Sequence, residues 1–128
     1  MASREKKKAL ARKEARAAGG ATAVLRGYRM SSRKARAMAD LIRGKSVESA
    51  ITILSFQQRK AALPIRKLLD SAVANAEGRN MDLDKLVVAS VVVDKGAVMK
   101  RWLPRAHGRA TPLKKQTSHV TVELVEAE

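Results

Sequence analysis

Two runs rich in β-branched residues lie near the C-terminus, "LVVASVVVDK" at residues 86–95 and "SHVTVELV" at residues 118–125. The first is too short for most helices, and the second alternates apolar and polar positions, which is typical of strands. The segment between them, 96–117, is too polar to be core. Because so long a structureless connection is uncommon inside a domain, we predict that both strands continue outward as an antiparallel hairpin, residues 95–118. Its tip would stand on the order of 30 Å from the core.

The rest of the chain has the patterns of one more strand and three helices. Residues 21–30, "ATAVLRGYRM", predict a strand. A helical stripe of Ala35, Met38, Ala39 and Ile42 follows Ser31 and Ser32, one of which caps it, and stops at Gly44. A second, short helix follows Ser46, and a third spans 59–77, with Pro64 in its first turn and Gly78 at its end. We predict an α+β fold: three helices packed on a small three-stranded antiparallel sheet with a long protruding β-hairpin.

At 128 residues the chain is long enough for one domain, which we place at 22–128. Residues 1–21 are basic, rich in alanine and end near the helix-breaking pair Gly19-Gly20. We predict an N-terminal extension that is partly disordered without RNA. The alternative is a solvated, partly helical extension with no partner.

The charge of the chain points to a polyanionic partner. Lys and Arg number 27 against 12 Asp and Glu, for a net charge of +15 and a pI of about 11.0. Nucleic acid is the first candidate. The absence of cysteine excludes disulfides and cysteine nucleophiles, and fits the cytoplasm. No apolar run approaches the roughly 20 residues of a membrane span, so we expect no membrane partner.

The cations concentrate in the hairpin segment "KRWLPRAHGRATPLKK", residues 100–115, which has no acid. Cations on an extended ribbon lie well along phosphate backbones, and Pro104 and Pro112 limit the entropy lost on ordering. Trp102 has two interpretations, a hydrophobic contact at the root of the hairpin or stacking on a nucleobase. The first helix adds a basic surface that is either solvated or RNA-binding, and the charge imbalance favours binding: Arg33, Lys34, Arg36, Arg43 and Lys45.

Candidate catalytic groups are few. His107 and His119 lack clustered carboxylates or cysteines, which makes a weak metal or acid–base site. Asn75, near the buried stripe of the third helix, is better explained by a structural hydrogen bond. We therefore expect neither an enzyme nor a cofactor.

Three stretches resemble the bacterial large-subunit ribosomal protein twenty-two family: "SSRKARAMADLIRGKSVESAITIL", "LLDSAVANAEGRN" and "VVVDKGAVMKRWLPRAHGRATPLKKQTSHVTVEL". They follow the order of the family and cover nearly everything from Tyr28 to Leu124. The most specific residues are Lys100, Arg105, Ala106, Gly108 and Arg109, and then His119, Val120, Val122 and Leu124. Ala97 and Trp102 depart from the usual family residues.

The resemblance implies a structural constituent of the large ribosomal subunit that binds ribosomal RNA, supports subunit assembly and lines the peptide exit tunnel with its hairpin. It implies as partners the RNA, neighbouring ribosomal proteins and the nascent polypeptide, with no homo-oligomer. The RNA-binding residues expected from the basic segments and the resemblance together are Ser32, Arg33, Lys34, Arg36, Arg43, Lys45, Lys95, Lys100, Arg101, Arg105, His107, Gly108, Arg109, Lys114, Lys115, Ser118 and His119. The tunnel-facing residues that it implies are Val98, Met99, Lys100, Arg101, Trp102, Leu103, Pro104 and Arg105.

Two other functions are consistent with the charge. A nucleoid-type protein would bind isolated duplex DNA with a steep salt dependence. A basic RNA-processing enzyme would use His107 and His119 together as an acid–base pair.

Overall fold

The computed structural model describes Arg4, residues 6–8, Leu10 and residues 19–128. The predicted N-terminal extension, 1–21, therefore lies mostly outside the described residues, although those described between Arg4 and Leu10 are helical and exposed. Residues 19–128 form three strands, three α-helices and two short 3-10 turns, at Leu83–Lys85 and Ala106–Gly108. In chain order the main elements are β1 (Ala21–Tyr28), α1 (Ser32–Ile42), α2 (Val47–Phe56), α3 (Ala62–Glu77), β2 (Leu86–Pro104) and β3 (Ala110–Glu126).

The three strands form one antiparallel sheet in the order β1-β3-β2, so the C-terminal strand is central. Side chains alternate across each strand, and one face of the sheet is buried while the other carries half-exposed residues such as Val24 and Val92. The helices pack on the buried face, chiefly α3 on β1 and α1 on β2. This arrangement confirms the predicted α+β fold with its protruding hairpin.

The core joins the predicted helical stripes to the inward-facing strand residues. All four residues of the α1 stripe are buried, as predicted from their spacing. The largest fully buried side chains include Met38, Ile42, Ile65, Leu69, Leu86, Val88, Val91, Val120, Val122 and Leu124. None of the buried core residues lies between 99 and 115, so the core is complete without the outer part of the hairpin.

The helix ends differ in small ways from the predictions. Ser46 caps α2 with its side chain, which accepts a hydrogen bond from the backbone N–H of Ser49. Ser31 occupies the cap position of α1 but makes no side-chain cap bond, and Gly44, with φ of 76°, follows the end of that helix. Helix α3 begins at Ala62 rather than residue 59, because the residues before it form a turn.

Asn75 has the structural role predicted for it. Its side-chain amide donates a hydrogen bond of 2.8 Å to the backbone carbonyl of Thr22 in β1. The bond ties α3 to the edge of the sheet, and the polar position beside the apolar stripe is thereby satisfied.

Leu69→Ala tests the buried stripe of α3. Leu69 is fully buried, so we expect the substitution to lower the free energy of unfolding by about 2–5 kcal/mol through lost transfer energy and a cavity. Val73 is only partly buried, and Val73→Ala is the matched control with a smaller expected loss. Denaturant unfolding of both variants measures the difference. Equal stability of Leu69→Ala and the parent would contradict this packing.

Candidate nucleic-acid interface

The hairpin extends the sheet well beyond the core. Strand β2 is 19 residues long and β3 is 17, and they remain paired out to Pro104 opposite Ala110. Every residue from 99 to 115 is exposed. At about 3.3 Å per residue, the arm from Lys95 to Pro104 is about 30 Å long.

A tight turn closes the hairpin at Ala106–Gly108. His107 and Gly108 have φ of 61° and 69°, the left-handed conformation in which glycine is favoured. The backbone N–H of Arg105 donates a 2.7 Å hydrogen bond to the carbonyl of Arg109 across the turn. The two arginines therefore lie opposite each other at the outer end of the ribbon.

The outer hairpin, residues 99–115, has no acid to pair with its six cations, which are Lys100, Arg101, Arg105, Arg109, Lys114 and Lys115. Among the described residues the two side-chain ion pairs are Arg43 with Asp40 and Lys85 with Asp82, and neither involves the hairpin. The hairpin therefore concentrates positive charge that the described acids do not neutralise.

The strand register divides the hairpin into two faces. The pairs Val98–Gln116, Lys100–Lys114, Trp102–Pro112 and Pro104–Ala110 lie on one face, which we name the lysine–tryptophan face. The pairs Met99–Lys115, Arg101–Leu113 and Leu103–Thr111 lie on the other, the arginine–leucine face. The residues implied to face the tunnel, 98–105, are therefore divided between two opposite faces rather than presented on one.

Two β-bulges mark the root of the hairpin, one on each neighbour of β3. The register shifts between Leu25 and Tyr28 in β1, and between Lys95 and Val98 in β2. At the first, the N–H of Gly27 donates a 2.9 Å hydrogen bond to Nδ1 of His119. At the second, the hydroxyl of Thr117 donates a 2.6 Å bond to the carbonyl of Ala97. Side chains of β3 thus form hydrogen bonds with backbone groups at both bulges. Because a bulge bends and twists a sheet locally, these bonds help to fix the direction in which the hairpin leaves the core.

This geometry gives His119 a structural role. A ring nitrogen that accepts a hydrogen bond carries no proton, so the neutral ring of His119 has its proton on Nε2.

Neighbouring Ser118 is fully buried and its hydroxyl has no hydrogen-bond partner among the described residues. Ser118 was predicted from the sequence to bind RNA, but its buried side chain does not lie on the basic surface.

Gly96→Ala tests the close packing at the root. A Cβ atom at Gly96 would lie 2.5 Å from the Thr117 hydroxyl oxygen and 3.2 Å from Nε2 of His119. We expect a loss of about 1–3 kcal/mol in unfolding free energy, because the Thr117 side chain must leave its bond to Ala97. Denaturant unfolding measures the loss. The double variant Gly96→Ala with Thr117→Ala should lose less than the sum of the single variants, whereas strict additivity would show that the contact is unimportant.

A basic cleft of about 480 Å³ lies between the hairpin arm of β3 and the helical layer. Its lining includes five cations and no acid: Arg29, Lys34, Lys60, Lys114 and Lys115, together with Met30, Ser31 and Gln116. A second cleft of about 410 Å³ shares Met30, Lys34 and Lys60, and adds Arg59 and Ala61. Because the two clefts share three residues, we treat them as one surface, the basic cleft.

The loop between α2 and α3 is held against β1 by Tyr28. The Tyr28 hydroxyl donates a 3.4 Å hydrogen bond to the carbonyl of Lys60. Burial raises the pKa of the Tyr28 phenol still further above neutral pH, where the hydroxyl is a donor in any case. This contact helps to place the cations of the loop beside those of α1.

Arg36 of α1 and Arg43, the residue after its end, have a second role at the edge of the sheet. Nη2 of Arg36 donates a 3.0 Å hydrogen bond to the carbonyl of Val93, and Nη2 of Arg43 donates a 2.7 Å bond to that of Val91. They occupy backbone acceptors on the outer edge of β2, which would otherwise remain open for pairing with another strand. Each guanidinium has five donors, so these bonds leave others for a phosphate.

Sequence reasoning missed three cleft residues, Arg29, Arg59 and Lys60. They lie in turns, outside both the helical stripe and the hairpin segment on which the predictions were based. Arg29 is also far from the other two in the chain, and only the packing of β1 against the α2–α3 loop brings them together. The high net charge of the chain was the one sequence signal that cations outside these two segments also take part in binding.

The structure does not assemble the acid–base pair considered for an enzyme. His107 lies in the turn at the tip, whereas His119 lies at the root, with most of the β3 arm between them. In the described part of the chain, no three His, Asp or Glu side chains are grouped closely enough to hold a metal ion. No described helix has the length and apolar character of a membrane span.

Comparison with known proteins identifies the family. The model of the family described as ribosomal protein L22p/L17e matches residues 23–125, which include the three α-helices, the whole hairpin and all but the outer ends of β1 and β3. This chain belongs to that family. The match confirms the resemblance stated from the hairpin residues and the helix patterns.

Curated relatives match over nearly their whole length. The large ribosomal subunit protein uL22 of Myxococcus xanthus is 53% identical over 109 residues, covering 83% of this chain and 96% of that protein. The proteins of the same name from Syntrophotalea carbinolica and Syntrophobacter fumaroxidans are 50% and 52% identical. They cover 83% and 81% of this chain, and 97% and 96% of their own lengths. The chain is thus a ribosomal protein by family, and the proteins of this family are structural constituents of the ribosome.

Proposed function

We propose that the chain is a structural constituent of the large ribosomal subunit that holds ribosomal RNA through the basic cleft and the hairpin. One observation carries the proposal: the core is complete without residues 99–115, yet those residues form an ordered ribbon with six cations and no acid. Such a ribbon stabilises nothing in the isolated domain, and repulsion among its cations opposes its order. RNA phosphates supply the missing counter-charge.

The proposed RNA-binding surface follows from exposure, charge and the family resemblance. On the helical side it includes Ser32, Arg33, Lys34, Arg36, Arg43 and Lys45, with Arg29, Arg59 and Lys60 of the cleft added by the structure. On the hairpin it includes Lys95, Lys100, Arg101, Arg105, His107, Gly108, Arg109, Lys114 and Lys115. His119 supports this surface at the root of the hairpin, where its Nδ1 accepts the hydrogen bond from the N–H of Gly27.

Sedimentation tests the subunit assignment. In a lysate fractionated at high salt, we expect the full chain to remain with large ribosomal subunits, because a ribbon embedded in RNA resists the salt that removes peripheral contacts. A nucleoid-type protein would instead leave the ribosomal fractions and bind isolated duplex DNA. Family membership favours the ribosomal outcome over DNA binding.

We infer that the outer hairpin reaches the wall of the peptide exit tunnel and contacts the nascent polypeptide. The length of the arm, its exposed tip and the family to which the chain belongs support this inference. Because the register divides residues 98–105 between two faces, we propose that only one of these faces borders the tunnel space, while RNA contacts the cations along the rest of the hairpin.

Deleting Met99, Lys100 and Arg101 tests the tunnel assignment. All three residues are exposed and outside the core, so we expect the variant to keep its melting temperature and still enter large subunits. Chemical probing of tunnel-wall nucleotides should change, since the hairpin is shortened. The control is Lys100→Gln with Arg101→Gln, which removes the charge and keeps the length. Unchanged probing in the deletion variant would contradict the tunnel position but not RNA binding.

A further inference from the structure

Trp102 is the most conspicuous exposed side chain on the lysine–tryptophan face. It is the only tryptophan of a chain that has one tyrosine and one phenylalanine, and its side chain is 65% exposed. The register places it opposite Pro112 in the outer half of the hairpin, so the contact with the hairpin root considered from the sequence is wrong. The indole of Trp102 lies on a paired strand opposite a proline, Pro112, and offers a flat apolar surface to a ligand.

A pair of lysines lies next to Trp102 on the same face. Lys100 and Lys114 are directly opposite each other in the register, where Cβ atoms are about 5 Å apart. Like charges in this position repel, and no acid of the hairpin separates them. An anion bound between the two ammonium groups would remove the repulsion, and a phosphate accepts from both.

The spacing of these groups matches the parts of one nucleotide. Trp102 is two residues beyond Lys100 on β2, which is about 7 Å along the strand. This distance is comparable to the reach from a base to its own phosphate. The face therefore presents a stacking surface and an anion site side by side, the two elements by which proteins hold unpaired nucleotides.

The position of the site also connects it to the basic cleft. Lys114 and Gln116 of this face line the cleft, as does Lys115 of the arginine–leucine face, so the cleft meets the hairpin at both faces and includes this one. A phosphate backbone bound by Lys34 and Lys60 would thus lead along β3 toward Trp102. The arginine–leucine face has no aromatic residue, and its apolar side chains are Met99, Leu103 and Leu113.

We propose that Trp102, Lys100 and Lys114 form a binding site for one unpaired RNA nucleotide, whose base stacks on the indole while its phosphate lies between the two lysines. A base inside a duplex already has neighbours on both faces, so the site selects a nucleotide that is extruded or single-stranded. This inference rests on the proposed RNA-binding function and names the form of RNA that the hairpin recognises.

The single tryptophan allows a direct test, because the fluorescence of the native chain reports on this site alone. The probes are a short oligoadenylate and a duplex RNA with the same number of phosphates, titrated at one salt concentration. We expect the oligoadenylate to quench the fluorescence and the duplex to leave it nearly unchanged. Trp102→Ala should weaken oligoadenylate binding by about 5- to 150-fold, the range measured for the loss of one stacked base, and Trp102→Phe by less.

Leu103→Ala is the matched control, since Leu103 is the next residue on the same strand and lies on the opposite face. Its affinity for oligoadenylate should stay close to that of the parent, and thermal melts should show that all variants keep the parent fold. Equal losses in Trp102→Ala and Leu103→Ala, or oligoadenylate binding without quenching, would overturn the site while leaving RNA binding intact. Failure to bind either RNA at low salt would overturn the proposed function as well.

Discussion

A chain in which an Asn-Gly turn replaces residues 99–115 should fold like the parent and lose most of its affinity for large-subunit RNA. Val98 and Gln116 are a cross-strand pair, so the two ends of the replaced segment already have the position that a two-residue hairpin turn requires. The buried core contains no residue from this segment. We therefore expect the melting temperature of the shortened domain to remain close to that of the parent.

The loss of affinity follows from the number of cations removed. The segment carries six Lys and Arg residues, and each phosphate contact contributes about 0.7–0.9 to the slope of log affinity against log salt concentration. At moderate salt we expect RNA binding to weaken by at least about 100-fold. Filter binding over a salt series measures both the affinity and its salt dependence. Leu69→Ala is the opposite control, because it loses stability but keeps the surface charge. A shortened chain that binds as the parent does would show that the hairpin is not the main RNA contact.

Replacing Arg105, Arg109, Lys114 and Lys115 together with glutamine should keep the hairpin and remove its electrostatic contribution. The four cations make no ion pair with a described acid, so the substitutions leave no buried partner unsatisfied. We expect the slope of log affinity against log salt to fall by about 3, since four contacts each contribute about 0.7–0.9. Binding to large-subunit RNA at several salt concentrations measures this slope.

The matched control for this variant removes charge elsewhere. Lys67 and Lys85 are exposed lysines outside the basic cleft and the hairpin. Lys67→Gln with Lys85→Gln should change the slope far less per charge removed than the hairpin variant does. If the two variants lose the same amount per charge, binding depends on net charge and not on this surface.

The fold was largely predictable because its signals are local. The α1 stripe of Ala35, Met38, Ala39 and Ile42 repeats at the helical period, and every one of these residues is buried. The alternation of Val120, Val122 and Leu124 likewise marked the buried face of β3. The hairpin was predicted from two β-branched runs separated by a polar segment, a pattern that does not depend on distant residues.

The details that sequence did not predict depend on contacts between distant segments. The bulges at the root arise where Gly27 and Gly96 meet β3; a glycine inside a strand is compatible with a bulge, but where the register shifts depends on the partner strand. Arg29 and Lys60 meet in the basic cleft only after β1 and the α2–α3 loop pack together. The two hairpin faces require the register of Lys100 with Lys114, which the bulge between Lys95 and Val98 shifts relative to the inner sheet.

The central claim is that the hairpin is embedded in RNA of the large subunit, and site-directed cleavage of that RNA tests it most directly. Because the natural chain has no cysteine, Thr111→Cys provides a single attachment point for a radical-generating iron chelate in the outer hairpin. Val92→Cys, on the half-exposed face of the sheet, is the control. In assembled large subunits we predict strong cleavage of ribosomal RNA from position 111, at nucleotides distinct from those cut from position 92. Absence of cleavage from position 111, with subunits that contain the labelled chain, would contradict the account.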